Sequence, residues 1–340
     1  MRTALAKRAQ ALPMQAKTIF PGVMMAAVVA LASRFLSEHY GAPAMLMALL
    51  LGMSFAFLSE GGRCVPGIAF SARSLLRVGV ALLGARISLG ALIALGPGLI
   101  SLIVLGVLAT IIFGITASWL LGRGWRLGVL TGGAVAICGA SAAMALAAVL
   151  PRNEQSERNL VFTVLGVTVL STVAMILYPL VVTTLGFGTQ YSGVFLGGTI
   201  HDVAQVVGAG YTISEPTGDT ATLVKLIRVA MLAPVVIVLT FILSRRASSG
   251  ESDAEGTQLV PPFLVVFIAI AGINSAGLLP DWAVAAMSDA SQWLLLTAIA
   301  AVGMKTSLRS ILDVGRLAIV LIVSESIFIA SLFAAGLYLL

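Results

Sequence analysis

Apolar windows of roughly 20 residues, the length that carries a helix across a bilayer, recur from one end of this chain to the other. That recurrence leaves few options. In hydrocarbon every backbone N–H and C=O must be paired within the protein, so only helices or closed barrels can span it. Windows of this length read as helices. Charged residues make up 10% of the chain, against about a quarter in soluble domains, and no stretch between windows is long enough for a soluble domain. The chain reads as an all-α polytopic membrane protein.

Eleven membrane segments are expected, at about 18–36, 43–58, 65–87, 97–120, 126–150, 158–185, 190–211, 218–244, 261–279, 283–304 and 315–339. The net charge of +6 does not indicate nucleic-acid binding, because most basic residues sit in short loops, where Lys and Arg set orientation. Residues 1–17 form a basic leader, and 18–36 lacks a convincing small-residue cleavage site, so it is expected as a retained extra helix. With the N-terminus cytoplasmic, Arg63, Arg123, Arg126, Arg245, Arg246, Lys305, Arg309 and Arg316 fall inside. Only Arg152 and Arg158, beside Glu154 and Glu157, fall on the opposite side. The polar stretch 245–260 is expected as a cytoplasmic loop.

An internal repeat is legible. "SLLRVGVALLG" (74–84) resembles "KLIRVAMLAP" (225–234), which sets Arg77 opposite Arg228. "AICGASAAMAL" (136–146) parallels "AAVGMKTSLRS" (300–310), which sets Gly139 opposite Gly303. The order of these matches divides the chain into repeats at 43–185 and 190–339. Five segments per repeat is an odd number, so the copies are inverted, as in secondary transporters with a site between the halves. The fourth segment of each repeat, near Gly139 and Gly303, is then expected to break, with the half-helix ends facing each other. Helix N-termini exposed there would bind an anion. The competing reading is that such small residues, including "GVLTG" (128–132) and "GVFLG" (193–197), only permit close helix packing.

Polar residues within apolar windows are costly and point to function. "FLGGTIHDVAQVVGAGY" (195–211) holds one of the chain's two histidines. Gly197 and Gly198 can interrupt a helix, and Thr199 with Asp202 has capping-box spacing for its restart. His201 and Gln205, four apart, would share a face. Asp202 reads either as a cap or as a proton carrier. Arg73, Arg86 and Lys305 can snorkel to headgroups, whereas Arg77 and Arg228 lie deeper and are expected to face an anion. Glu325 reads as a coupling carboxylate or as the partner of one of these arginines. No His-x-x-x-His pair, Cys/His cluster or nucleophile elbow occurs, so no metal, cofactor or catalytic group is expected, and the chain does not read as an enzyme.

"GGTIHDVAQVVGAG", "AICGASAA", "LLRVGVALLGARISL" and "GMKTSL" together resemble the YeiH-type family of sulfate exporters, from about Pro43 to the last segment. The resemblance implies a bacterial inner-membrane protein related to the bile-acid symporter and sodium/proton antiporter architecture, with two inverted five-helix repeats and broken crossing helices. The expected function is export of sulfate, sulfite or a sulfonate by alternating access. Gly139, Ala140, Ser141, Gly303, Thr306, Ser307, Arg77 and Arg228 would bind the anion, and His201, Asp202, Gln205 and Glu325 would gate or couple. The expected partners are a small anion, the bilayer, protons or sodium, and a second copy in a homodimer. The alternative is a cation-coupled symporter or sodium/proton antiporter of the same fold.

Overall fold

A computed structural model describes residues 2–40, 44–86, 89–151, 153–246, 262–306 and 316–340. Every regular element in it is helical, and no strand occurs among the described residues. In chain order the helices are α1 (Arg2–Tyr40), α2 (Ala44–Ser54), α3 (Val65–Phe70), α4 (Leu76–Leu82), α5 (Leu89–Leu120), α6 (Trp125–Ala136), α7 (Ala140–Val149) and α8 (Ser156–Thr184). They continue with α9 (Thr189–Thr199), α10 (Val203–Ile213), α11 (Glu215–Ala230), α12 (Leu232–Arg246), α13 (Pro262–Ser275), α14 (Asp281–Lys305) and α15 (Arg316–Leu339).

Among the described residues seven stretches are long and apolar enough to cross a membrane: Lys17–Tyr40, Val65–Ala85, Leu92–Leu120, Arg158–Thr184, Glu215–Leu243, Asp281–Lys305 and Ile319–Leu339. Large apolar side chains such as Phe20, Ile93, Leu180 and Phe241 stand exposed along them. That is the surface lipid requires of a multi-pass membrane protein.

The chain forms two compact units, one from residues 1–86 and 277–307, the other from 87–276 and 308–340. In the first, small residues bring helices into backbone contact. A side chain at Gly22 would overlap the Cys64 carbonyl and the Gly67 Cα. One at Gly303 would overlap the Leu49 carbonyl of α2. Ser291 Oγ, on α14, donates to the Gly79 carbonyl of α4 at 2.6 Å.

The second unit holds two helical hairpins. The chain turns back between α6 and α7, because Gly133 abuts the Leu146 side chain, and Arg126 and Leu127 line one cleft with Leu150 and Pro151. Helices α9 and α10 likewise fold together. Thr217 Oγ1, hydrogen-bonded with Ser214 Oγ at the end of α10, reaches the Thr189 carbonyl at the start of α9. The first hairpin meets the beginning of α8 through the short 150–155 connection, and the second follows its end. Both tips come to the middle of α8. Gly139 lies against Val167, and the Asp202 backbone N–H donates to Ser171 Oγ at 3.0 Å. The hairpins therefore approach from opposite ends of α8.

The interruptions expected near Gly139 and after Gly198 are present, but segments 126–150 and 190–211, read from the sequence as spans, turn back at them instead of crossing. Each arm is only 10 to 12 residues long, about half of what a bilayer-crossing helix needs. The structure also shows no break at Gly303 itself, because α14 runs helical through it to Lys305, and residues 307–315 lie outside the described residues. Gly303 serves contact with α2 instead. The packing reading holds at Gly128 and Gly132, which let α6 lie against Gly114 of α5. It holds equally at Gly193 and Gly197, which lie against α11.

Candidate functional site

At the first tip α6 ends at Ala136 and α7 restarts at Ala140. Gly139 has φ 64° and ψ −126°, a conformation strongly disfavoured for residues with a Cβ. It offers no side-chain cap to the restarting helix. Ser141 is exposed and Ala140 half-buried. At the second tip α9 ends at Thr199 and α10 restarts at Val203. There Asp202 is itself the N-cap, its Oδ1 accepting from the Ala204 N–H at 2.8 Å. Thr199 takes no part in the cap, because its hydroxyl donates back to the Phe195 carbonyl. The tips touch, with the His201 backbone lying against Gly139.

Helix C-termini at both tips leave carbonyl groups without intrahelical donors. Two cations of α11 satisfy them. Lys225 Nζ donates to the carbonyls of Ile137 at 2.7 Å and Ile200 at 3.0 Å. Arg228 donates from Nε to Ala136, from one terminal nitrogen to Gly197 and Ile200, and from the other to Val135, all at 2.7 to 3.1 Å. Both residues are fully buried. Positive charge at the negative ends of α6 and α9 is the favourable sense for the helix dipole. Opening the backbone at membrane depth is tolerable only when its polar groups are met in this way.

The expectation that Arg228 faces an open anion site is therefore corrected, since its guanidinium closes two helix ends. Arg77 stands exposed on α4, in the other unit. Gly303 and Thr306 also belong to that unit, with the Thr306 hydroxyl donating to the Val302 carbonyl, and Ser307 lies outside the described residues. The polar stretch at 247–261 does too. His201 and Gln205 do not share a face. His201 precedes α10 and its Nε2 meets Ser326 Oγ of α15 at 2.8 Å, while Gln205 Nε2 donates to Thr172 Oγ1 of α8 at 2.9 Å.

Glu325 is fully buried on α15, and its Oε1 accepts from Thr131 Oγ1 of α6 at 2.7 Å. It is no arginine's partner, since no ion pair involves it among the described residues. Three buried polar atoms around the tips have no hydrogen-bond partner: His201 Nδ1, Gln205 Oε1 and Glu325 Oε2. The Val135 carbonyl lies near the His201 ring without hydrogen-bond geometry. Such orphans are uncommon in folded proteins and call for an explanation.

Lys225 was readable as the neighbour of Arg228, but apolar sequence carries no sign of which carbonyls a buried cation meets. Thr131, Ser171, Thr172 and Ser326 also take part, each a small hydroxyl in an apolar window. That signal is weak, because such hydroxyls commonly bond back to their own helix.

The family model described as "Conserved hypothetical protein 698" matches residues 21–322. The UPF0324 membrane protein RB0971 of Rhizobium meliloti is 60% identical over 334 residues, covering 98% of this chain and 97% of that protein. The UPF0324 membrane protein TauZ of Paracoccus pantotrophus is 60% identical over 322 residues, 94% of this chain and 95% of its own. The UPF0324 membrane protein CT0845 of Chlorobaculum tepidum is 54% identical over 314 residues, 92% and 87% respectively.

Proposed function

This chain belongs to the conserved hypothetical protein 698 family, whose relatives carry the name of membrane proteins, and we propose that it is a secondary-active transporter of a small anion. The single observation that supports this most is the pair of hairpins whose tips meet halfway along α8. Irregular backbone at that depth persists in membrane proteins where it is packed in protein or lines a cavity. Half-helix ends near the midplane are where secondary transporters bind substrate.

The anion site in this proposal is the start of α7. Its first N–H groups follow Gly139, which supplies no side-chain cap, and Ser141 adds an exposed hydroxyl. Helix N-termini favour anions through both N–H groups and dipole. The start of α10 differs, because the Asp202 carboxylate already occupies the equivalent position. The second tip, with His201, Asp202 and Gln205, accordingly acts as gate and coupling element rather than as the anion's seat. Lys225 and Arg228 are positioning residues that keep the negative helix ends away from the anion.

Beside the seven long stretches, α2 extended by the helical turn Ala56–Ser59, and α13, would complete nine crossings around the two re-entrant hairpins, and alternating access would expose the tips to each side in turn. Sulfate, sulfite and small sulfonates are the proposed substrates, in keeping with the sulfate-exporter resemblance. A bacterial inner membrane with the N-terminus inside is the proposed setting. The test is flux into proteoliposomes of labelled sulfate, sulfite and methanesulfonate, at varied pH and sodium. Saturable uptake with counterflow of one of them is expected. No flux of any of the three would sink this substrate class, and sodium-dependent proton flux without an anion would transfer the protein to the antiporters.

A further inference from the structure

We propose that the buried carboxyl of Glu325 is a proton-exchange site linking the first hairpin to the tip of the second. The pocket for this carboxyl is built by absence of side chains. A Cβ at Gly114 of α5 would stand 2.6 Å from Glu325 Oε1 and 2.8 Å from the Gly128 carbonyl of α6. Thr131 of α6 supplies the one hydrogen bond, and Oε2 has no partner. The next residue, Ser326, holds the His201 ring at the second tip. Two consecutive residues of α15 thus engage one hairpin each.

Among the described residues no cation forms an ion pair with this carboxylate. Helix α5 has no titratable residue between Leu89 and Leu120. On α6 the charged group is Arg126, which lines the cleft at the open end of its hairpin. On α8 Arg158 lies over Phe162 and Tyr178 packs beside Phe195. On α9 the titratable group is Tyr191, and at the tip they are His201 and Asp202, the latter capping α10. None of these forms a hydrogen bond or ion pair with Glu325. Lys225 and Arg228 of α11 point their donors at the tip carbonyls.

An ionised carboxylate without a cation in such a place is far costlier than one hydroxyl can offset. The packed arrangement is therefore the one in which Oε2 carries a proton: its O–H bond forms as an O–H bond of hydronium breaks, and release to water reverses both changes. Releasing that proton requires water to reach the carboxyl, and Gly114, Gly128 and Gly132 leave no room for it while α6 lies on α5. Proton occupancy and the seating of the hairpin arm are then one linked equilibrium.

This inference takes its physiological meaning from the transporter reading, but the test needs no substrate. The full chain in lipid nanodiscs is carried through a pH series while infrared difference spectra are recorded. A carboxylic-acid C=O stretching component that disappears as pH rises is expected, and it should be missing from Glu325→Gln. Persistence of every such component in Glu325→Gln overturns the proposal. Thr131→Val keeps the carboxyl, removes its donor, and serves should Glu325→Gln fail to fold. It is expected to move the midpoint of that component by about one pH unit, and an unmoved midpoint also overturns the proposal. Absent anion flux beside a Glu325 signal would defeat the anion-substrate reading alone.

Discussion

Four hydrogen bonds from Arg228 end on carbonyls of two different helices, which makes this residue a joint between hairpins. Only a planar fork can meet oxygens spread over Val135, Ala136, Gly197 and Ile200 together. Arg228→Met would leave these carbonyls unpaired in the interior. It is expected to destabilise the protein by about 3–5 kcal/mol, read as a lowered unfolding midpoint of the purified protein in detergent. Arg228→Lys should recover less than half of that loss, and full recovery would show that charge alone matters. Asp202 allows a finer separation. Asn and Asp are near-equal N-caps, whereas Ala costs about 1 kcal/mol. Asp202→Asn should therefore leave the unfolding midpoint within about 0.5 kcal/mol of the parent while altering the pH dependence of flux, and Asp202→Ala should disturb both. Unaltered pH dependence in Asp202→Asn would reduce Asp202 to a cap.

At the scale of helices, one residue type carries two meanings. Gly139 opens a helix and Gly303 closes the gap between two helices, and their sequence surroundings look alike. The structure separates them by φ, which is positive at Gly139 but not at Gly303. Gly303→Ala would press a methyl group onto the Leu49 carbonyl and is expected to cost about 1–3 kcal/mol, with α14 remaining helical. A thermal melt reads this directly, and a neutral result would remove the packing role. The apolar windows and the interruption after Gly197 and Gly198 were legible because hydropathy and glycine pairs are local signals. The return of each hairpin was not. A re-entrant hairpin and a crossing helix have the same length and hydropathy, and what separates them is long-range contact such as Gly133 against Leu146. Gly139 and Gly303, matched in the sequence, differ in the structure for a related reason, since small residues serve breaks and close approaches equally.

For the molecule as a whole, two hairpins in place of two crossings change which side each loop occupies. If 126–150 crossed, the loop with Arg152 and Arg158 would lie opposite the basic N-terminus, the one departure from the positive-inside pattern. A hairpin returns this loop to the side it left, beside Arg123 and Arg126, and the departure disappears. The second hairpin restores the count, so Arg245 and Arg246 stay on the same side under either topology. The difference is therefore confined to residues 150–157 and 186–189 and can be measured there. In a chain with Cys64 and Cys138, its two cysteines, replaced by Ser and Ala, a single cysteine is placed at Asn153 or at Gly188. Membrane-impermeant maleimide applied to right-side-out vesicles should label Gly188→Cys and spare Asn153→Cys, with the pattern reversed in inverted vesicles. Labelling of Asn153→Cys from outside would mean that α6 and α7 cross. It would remove the opposed hairpins, and with them the chief support for placing an anion between their tips.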